Sequence, residues 1–142
     1  MKIETILASK GTNVFTVRPD RSIKEALALL VQHNIGALIV VDDSGKPIGI
    51  LSERDIIREA ARNDAVLAQP VSRVMTQNVI VASPHDEITS VEQAMTYRRI
   101  RHVPVMDQGQ LIGIVSIGDV VKAQLDQYEG QIETLHTQLN EG

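Results

Sequence analysis

The chain contains the same pattern of residues twice, and this internal repeat restricts the available folds more than any other feature. The pattern begins at Asn13 and returns at Asn78, 65 residues later. The offset holds as far as the pair Asp42 and Asp107, and it drops to 64 after one residue is lost from the following turn. A period of this length indicates two copies of one supersecondary unit, neither of which buries its apolar face alone. We therefore expect two copies related by a pseudo-two-fold axis, with ligand sites in the clefts between them.

The composition restricts the classes of partner. A chain of 142 residues is long enough for one compact domain with a real core. Three aromatic residues and a net charge of −4 disfavour nucleic acid or an anionic membrane as the main partner. The absence of cysteine excludes thiolate chemistry and suits a reducing compartment. No apolar run is long enough to span a bilayer, and the N-terminus does not open a signal peptide, so we expect a cytoplasmic protein.

Each copy predicts the order strand, helix, strand, turn, strand, helix. In the first copy the predicted elements are Val14–Val17, a helix capped by Ser22, Ala37–Val41, Ile48–Leu51 and a helix from Glu53 to about Arg62. In the second copy they are Val79–Ala82, Ile88–Arg98, Val103–Met106, Leu111–Val115 and a helix from about Gly118. The predicted division of the chain is 1–62 for the N-terminal segment and first copy, 63–77 for a linker with one helical turn, 78–125 for the second copy, and 126–142 for an extension of the last helix.

The last helix carries an apolar seam at heptad spacing. Its members are separated by 4, 3, 4, 3 and 4 residues, and they are Val121, Leu125, Tyr128, Ile132, Leu135 and Leu139. Gly130 lies within the helix and costs roughly 1 kcal/mol relative to alanine. The seam either packs along its own domain or forms a two-fold contact with another subunit. We favour the second interpretation, because a solvated tail has no need of six spaced apolar residues.

The clearest candidate for chemistry is a Ser-x-x-Asp motif that follows the third strand of each copy. Ser52 precedes Asp55, and Ser116 precedes Asp119, each pair at the start of a helix. The free N–H groups of a helix N-terminus, a hydroxyl and a carboxylate together suit an anion and a ribose. The same spacing also resembles a helix capping box with aspartate in place of glutamate. Taken singly, each motif is more typical of a cap than of a site.

A basic cluster occurs in one copy only. The second copy has Arg98-Arg99-Ile100-Arg101-His102 before its second strand, where the first copy has His33-Asn34-Ile35-Gly36-Ala37. A fold duplication does not require this asymmetry, whereas a phosphate in the cleft between the copies explains it, with Arg101 as a bidentate donor. The alternative is a solvated helix end, in which arginines complement the helix dipole; this accounts well for Arg98 and Arg99. His33, His85 and His136 lack metal-ligand spacing, and no catalytic residue or metal site is predicted.

These residues resemble a cystathionine β-synthase (CBS) domain pair. The resemblance covers roughly residues 3 to 125 and rests on Ile-Gly-Ala-Leu or Arg-His-Val-Pro-Val in the second strand and on Gly-Ile-(Leu/Val)-Ser-x-x-Asp after the third. It implies an α/β (α+β) fold of two pseudo-symmetric βαββα repeats packed through their sheets. The chain is most similar to short stand-alone bacterial members. Such modules bind AMP, ADP, ATP, NAD or, less expected here, S-adenosylmethionine, and they regulate another protein without catalysing a reaction.

The resemblance also implies roles for particular residues. Asp55 and Asp119 would hold ribose hydroxyls, and Ser52 and Ser116 would contact ribose or phosphate. The adenine base would lie against the opposite copy, which implies Val14, Ile35, Gly36 and Ala37 facing Asp119, and Thr76, Val79, Ile100 and His102 facing Asp55. Arg54, Arg101 and His102 would bind phosphates. The first copy lacks a basic residue at Gly36 and Ala37, so we expect unequal clefts.

The sequence leaves several functions open. The favoured one is an adenine-nucleotide sensor that acts as a homodimer or through an unidentified regulated protein. A ligand-free structural dimerisation module is the main alternative, and in it Asp55 and Asp119 serve only as caps. An enzyme is disfavoured, because no nucleophile and base are paired. RNA binding is disfavoured by the net charge.

Overall fold

The first repeat forms a three-stranded sheet and the second a two-stranded sheet in the computed structural model, which describes residues 1–141. The predicted extension 126–142 therefore ends at a residue, Gly142, that lies outside the described residues. The elements in chain order are α1 (Ile3–Lys10), β1 (Thr16–Val17), α2 (Ile23–His33), β2 (Ala37–Val41), β3 (Pro47–Ser52), α3 (Glu53–Arg62), a 3-10 turn (Val66–Ala68), α4 (Val71–Val74), α5 (Ile88–Arg98), β4 (His102–Asp107), β5 (Gln110–Ser116) and α6 (Ile117–Glu141).

Local signals account for the elements of the first repeat. The Ser22 side chain accepts a hydrogen bond from the Glu25 backbone N–H at 3.1 Å and so caps α2, as predicted. The five residues of β2 are all buried, as expected for a strand covered on both faces, and β2 is the central strand of the sheet, between β1 and β3. The strands β1 and β2 are parallel, and β2 and β3 form an antiparallel hairpin. The predicted bounds of β2, α3 and α5 are confirmed.

The predicted strand Val79–Ala82 is wrong: only Ala82 pairs with β4, through a single parallel bridge to Val105. Pro104 explains the difference. In the first repeat the Ile39 N–H donates to the Phe15 carbonyl at 3.1 Å and extends the pairing of β1 with β2. The residue equivalent to Ile39 is Pro104, which has no N–H to donate to the carbonyl of Ile80. The predicted strand Val14–Val17 is also shorter than expected and comprises only Thr16 and Val17.

Each repeat has its own apolar core, and each core is completed by a helix that precedes the other repeat. Ile3, Ile6 and Leu7 of α1 are buried in the core of the second repeat. Val71 of α4 is buried in the core of the first. The core of the described residues contains no buried charged or polar residue. The packing of α1 places its last turn, with Lys10, beside the second repeat.

The last helix is continuous through Gly130 and leaves the heptad seam uncovered. The exposed fractions of the six side chains range from 47% to 77%. The seam therefore does not pack along its own domain, and the interpretation in which it does is wrong. None of the described helices is long and apolar enough to cross a membrane.

Candidate functional site

The corner where β3 meets α3 is held by reciprocal hydrogen bonds between Ser52 and Asp55. The Asp55 N–H donates to Ser52 Oγ at 3.2 Å, and the Ser52 N–H donates to Asp55 Oδ2 at 2.9 Å. These two bonds form a complete capping box, so the Ser-x-x-Asp motif does cap α3, as its interpretation as a helix cap expects. The cap uses mainly Oδ2, and Oδ1 accepts a hydrogen bond from the Thr76 hydroxyl at 3.3 Å. The second carboxylate oxygen therefore points away from the cap, towards the chain that enters the second repeat.

The corner where β5 meets α6 has the same cap and a different neighbour. The Asp119 N–H donates to Ser116 Oγ at 3.1 Å, and the Ser116 N–H donates to Asp119 Oδ2 at 2.9 Å. Here the ammonium of Lys10 donates to the same Oδ2 at 2.7 Å. Partial burial raises the pKa of the Asp119 carboxyl, but the hydrogen bonds from Lys10 and Ser116 outweigh this and hold that pKa below its ordinary value. The repeat pattern did not predict this contact between Lys10 and Asp119.

A cleft of about 370 Å³ opens at the Asp55 corner. Residues of both repeats line it: the end of β3 and the first turns of α3 from one, and the segments on either side of α5 from the other. Its lining comprises Gly36, Ile50, Ser52, Glu53, Arg54, Asp55, Arg58, Thr76, Asn78, Val79, Ile80, Arg98, Arg99, Ile100, Arg101 and His102. The volume falls within the range of small-molecule sites.

The lining of this cleft is strongly cationic. It contains five arginines and two carboxylates, although the whole chain has a net charge of −4. Val79, Ile80 and Ile100 are half-buried and provide an apolar wall on the side of the second repeat. The cleft therefore combines a carboxylate for hydroxyl groups, an apolar wall for a planar ring and a set of guanidinium groups for phosphates.

His102 lies between the cleft and the Asp119 corner. It lines the cleft, and in the β4–β5 ladder it is the partner of Ser116. Burial lowers the pKa of His102, and the positive charge of Lys10 lowers it further, against the opposing effect of Asp119 and Glu53. Both causes favour the neutral form of the imidazole.

The structure brings most of the predicted site residues together at the Asp55 cleft. The predicted residues that line it are Gly36, Ser52, Arg54, Asp55, Thr76, Val79, Ile100, Arg101 and His102. Ser116 and Asp119 form the other corner, where Lys10 binds. Val14 and Ile35 are half-buried, and Ala37 is buried within β2.

Gly36 does not lie where we expected. It lines the Asp55 cleft, whereas the predicted arrangement placed it opposite Asp119. The reason is a hydrogen bond from the Glu53 N–H to the Gly36 carbonyl at 3.0 Å, which holds Gly36 against the first turn of α3 in its own repeat.

Three arginines of the cleft were missed as site residues. Arg98 and Arg99 are exposed, as the alternative of a solvated helix end expects, and both also line the cleft. Arg58 lies one helical turn after Arg54 on α3, and this i, i+4 spacing is a signal that sequence reasoning could have used. No group of three histidine or acidic side chains within residues 1–141 is arranged to hold a metal ion.

Comparison with known proteins identifies the class of this fold. The family model described as CBS domain matches the chain twice, over residues 7–62 and 71–126. The chain therefore belongs to the CBS domain family, as a pair of CBS domains in one polypeptide.

Three similar chains are matched over 81% to 98% of their own length. The CBS domain-containing protein YhcV of Bacillus subtilis is 37% identical over 114 residues, which are 80% of this chain and 81% of that protein. The crystal structure of the CBS-domain containing protein ATU1752 from Agrobacterium tumefaciens is 44% identical, covers 87% of this chain and 92% of that one, and has a TM-score of 0.80. The CBS domain pair of protein MJ0100, solved in complex with 5′-methylthioadenosine and S-adenosyl-L-methionine, is 30% identical, covers 89% and 98%, and has a TM-score of 0.79.

Proposed function

We propose that this chain is a regulatory module that binds a phosphorylated adenosine ligand in the Asp55 cleft and catalyses no reaction. The observation that carries the proposal is the meeting of the Asp55 carboxylate with five arginines in a single cleft between the repeats, where Glu53 is the only other acidic residue of the lining. The complex of MJ0100 with two adenosine compounds supports the adenosine class of ligand. The proposal makes Asp55 the acceptor for ribose hydroxyls, because carboxylates in nucleotide sites commonly take this role.

The charge of the cleft favours some adenosine ligands over others. Arg54 and Arg58 reach it from α3, and Arg101 reaches it from the start of β4. Guanidinium groups bind phosphate oxygens in pairs of charge-assisted hydrogen bonds, and they repel a sulfonium cation. AMP, ADP, ATP and NAD are therefore favoured over S-adenosylmethionine, and the affinity should increase with the number of phosphates.

A thermal-unfolding series tests this proposal. The purified protein is heated with adenosine, AMP, ADP, ATP, NAD or S-adenosylmethionine, alongside the variants Asp55→Ala and Arg101→Ala. A ligand at about 100 times its dissociation constant should stabilise the protein by roughly 2.7 kcal/mol. We expect a shift with phosphorylated ligands that disappears in Asp55→Ala and is reduced in Arg101→Ala. The absence of a shift with every ligand would contradict the proposal and favour the ligand-free dimerisation module.

We further propose that the chain acts as a homodimer to which the seam of α6 contributes. One side of the seam is flanked by three neutral residues, Gln124, Gln131 and Gln138. In a parallel pair of α6 helices these positions therefore bring no like charges together. Six exposed apolar side chains at heptad spacing match the surface that a second copy of the same helix presents.

Sedimentation equilibrium of the full chain tests this assembly. Leu125→Lys places a charge in the seam, and Gln127→Lys places the same charge two residues away, outside the seam. We expect Leu125→Lys to weaken self-association and Gln127→Lys to leave it unchanged. A monomeric wild type, or equal behaviour of the two variants, would contradict a role for the seam.

A further inference from the structure

Different groups contact the two corners of the molecule in equivalent places. At the first corner, Thr76 donates its backbone N–H to the Ile50 carbonyl at 2.9 Å and its hydroxyl to Asp55. At the second corner, the carbonyl equivalent to that of Ile50 belongs to Ile114. The ammonium of Lys10 donates to this carbonyl at 2.9 Å and to Asp119 at 2.7 Å. One ammonium therefore contacts the equivalent carbonyl and the equivalent carboxylate, although it donates to Oδ2 of Asp119 whereas Thr76 donates to Oδ1 of Asp55.

The position of Lys10 is determined by the packing of α1. Ile3, Ile6 and Leu7 are buried in the core of the second repeat, and the Ile3 N–H donates to the Asp86 carbonyl at 3.0 Å. Leu7 lies against Gly113 of β5, where an added Cβ would come within 2.8 Å of its side chain. Lys10 is the last residue of this anchored helix. Its side chain is 32% exposed and that of Asp119 is 23% exposed, so the pair is partly shielded from water.

The Asp119 corner also lacks the cations of the Asp55 cleft. The residues equivalent to Arg98, Arg99 and Arg101 are His33, Asn34 and Gly36. The residue equivalent to Arg54 is Gly118, and only Arg58 has a cationic counterpart, Lys122. A nucleotide at this corner would find a carboxylate already bound to an ammonium and few groups for its phosphates.

We propose that Lys10 is an intramolecular occupant of the Asp119 corner, which competes with ribose ligands there and leaves Asp55 as the favoured site for an adenosine ligand. This inference rests on the proposed function of the Asp55 cleft. It assigns a regulatory contact to α1, because a movement that withdraws Lys10 would expose a second carboxylate to the ligand. Lys10 thus biases which of the two corners a ligand occupies.

The test uses a protein in which the first corner has been disabled. Binding of adenosine and of AMP to Asp55→Ala and to Asp55→Ala with Lys10→Met is followed by the amide signals of Ser116 and Asp119 in ¹H–¹⁵N spectra. Methionine retains the length and apolar stem of lysine and removes the charge. We expect binding at the Asp119 corner to tighten about fivefold, as for the loss of one partly exposed ion pair, and to disappear when Asp119→Ala is added. A change of less than twofold overturns the inference.

Two further variants separate this inference from the proposed function. Lys10→Arg keeps the positive charge and should leave the corner closed, and thermal unfolding of each variant establishes that it is folded. Calorimetric titration of the single variant Lys10→Met with AMP should show a second site, whereas the wild type should show one. If the wild type binds no nucleotide, the proposed function fails; if the wild type binds one and Lys10→Met still binds only one, the inference about Lys10 alone fails.

Discussion

Asn34 and Arg99 end the equivalent helices α2 and α5 in the same left-handed backbone conformation, at φ 51° and φ 55°. Asparagine adopts this conformation readily, and arginine adopts it at a cost, because its Cβ crowds the following carbonyl. Arg99 also lines the Asp55 cleft. Of these two helix ends, the one that lines the cleft therefore has the residue that is less favoured in the left-handed conformation.

We expect Arg99→Asn to increase stability and to weaken the binding of phosphorylated ligands. Relief of the left-handed strain should raise the free energy of unfolding by up to about 1 kcal/mol. Loss of one guanidinium should weaken ATP binding about fivefold, as for a partly exposed charge pair. Urea unfolding and calorimetric titration measure the two effects. A variant with lower stability and unchanged affinity would show that Arg99 is held by packing rather than by its place in the cleft.

Asp55→Asn should separate the capping role of this residue from its binding role. The side-chain carbonyl of asparagine still accepts the Ser52 N–H, so we expect a loss of stability of about 1 kcal/mol or less. Neutralising the carboxylate should weaken ligand binding about tenfold or more, because a hydrogen bond to a charged acceptor is stronger than one to a neutral acceptor.

Asp119→Asn is the matched control for that measurement. It makes the same change in an equivalent cap and also removes the ion pair with Lys10. Its loss of stability should be equal or larger, and the affinity of the Asp55 cleft should not change. Equal loss of affinity in the two variants would contradict the assignment of the ligand to Asp55.

The half-buried His102 should make stability depend on pH in a narrow window. Burial and the charge of Lys10 lower the pKa of His102 in the folded protein, so the unfolded chain binds this proton more readily. The stability contributed by the neutral imidazole is therefore complete above the unfolded pKa of about 6.5 and is lost as the pH falls through it towards the lower folded pKa.

Urea unfolding at pH 7.5 and pH 5.5 measures this effect. We expect the wild type to lose more stability between these two values than His102→Gln does. The carboxyl of Asp119, whose pKa is lowered, stays ionised across this window and does not contribute to the difference. An identical loss in the two proteins would show that His102 is not the titrating group.

Gly49→Ala should destabilise the first repeat and disturb the Asp55 corner. An added Cβ would lie 2.5 Å from the Met75 sulfur and 3.1 Å from the Thr76 carbonyl oxygen. Overpacking of this kind costs about 1–3 kcal/mol, and here it displaces the residue whose hydroxyl contacts Asp55. Thermal unfolding measures the cost.

The substitution Gly130→Ala provides a control of opposite sign. Nothing lies within 4 Å of its added Cβ, and the residue is within α6, so alanine should stabilise the protein by roughly 1 kcal/mol. If Gly49→Ala were neutral, the close approach of Met75 and Thr76 to β3 would not be needed for the fold.

Elements with local causes could be predicted from the sequence. The cap at Ser22, the five-residue apolar run of β2 and the helix Ile88–Arg98 each depend on residues within one turn or one strand, and each has the predicted bounds or partners. The strand predicted at Val79–Ala82 failed because its pairing depends on Pro104 of another strand. Its apolar pattern could not show that the partner lacked the necessary N–H group.

The candidate site, like the fold, could be predicted only in part. Ser52, Asp55 and Arg101 were identified, since a duplicated motif and a charge asymmetry are visible in the chain itself. Arg98 and Arg99 are not among the predicted site residues, because a helix end has the same sequence pattern whether or not a cleft lies beyond it.

The sequence by itself determined that this protein has two equivalent repeats, because periodicity, caps and turns act over a few residues and therefore appear twice in the chain. The lack of a basic residue at Gly36 and Ala37 also predicted unequal clefts, but only the tertiary structure decided that Lys10 lies at the Asp119 corner. Lys10 and Asp119 are 109 residues apart, and they meet because α1 packs on the second repeat. A contact of this kind depends on how helices and sheets bury their apolar faces against one another, which no local pattern specifies.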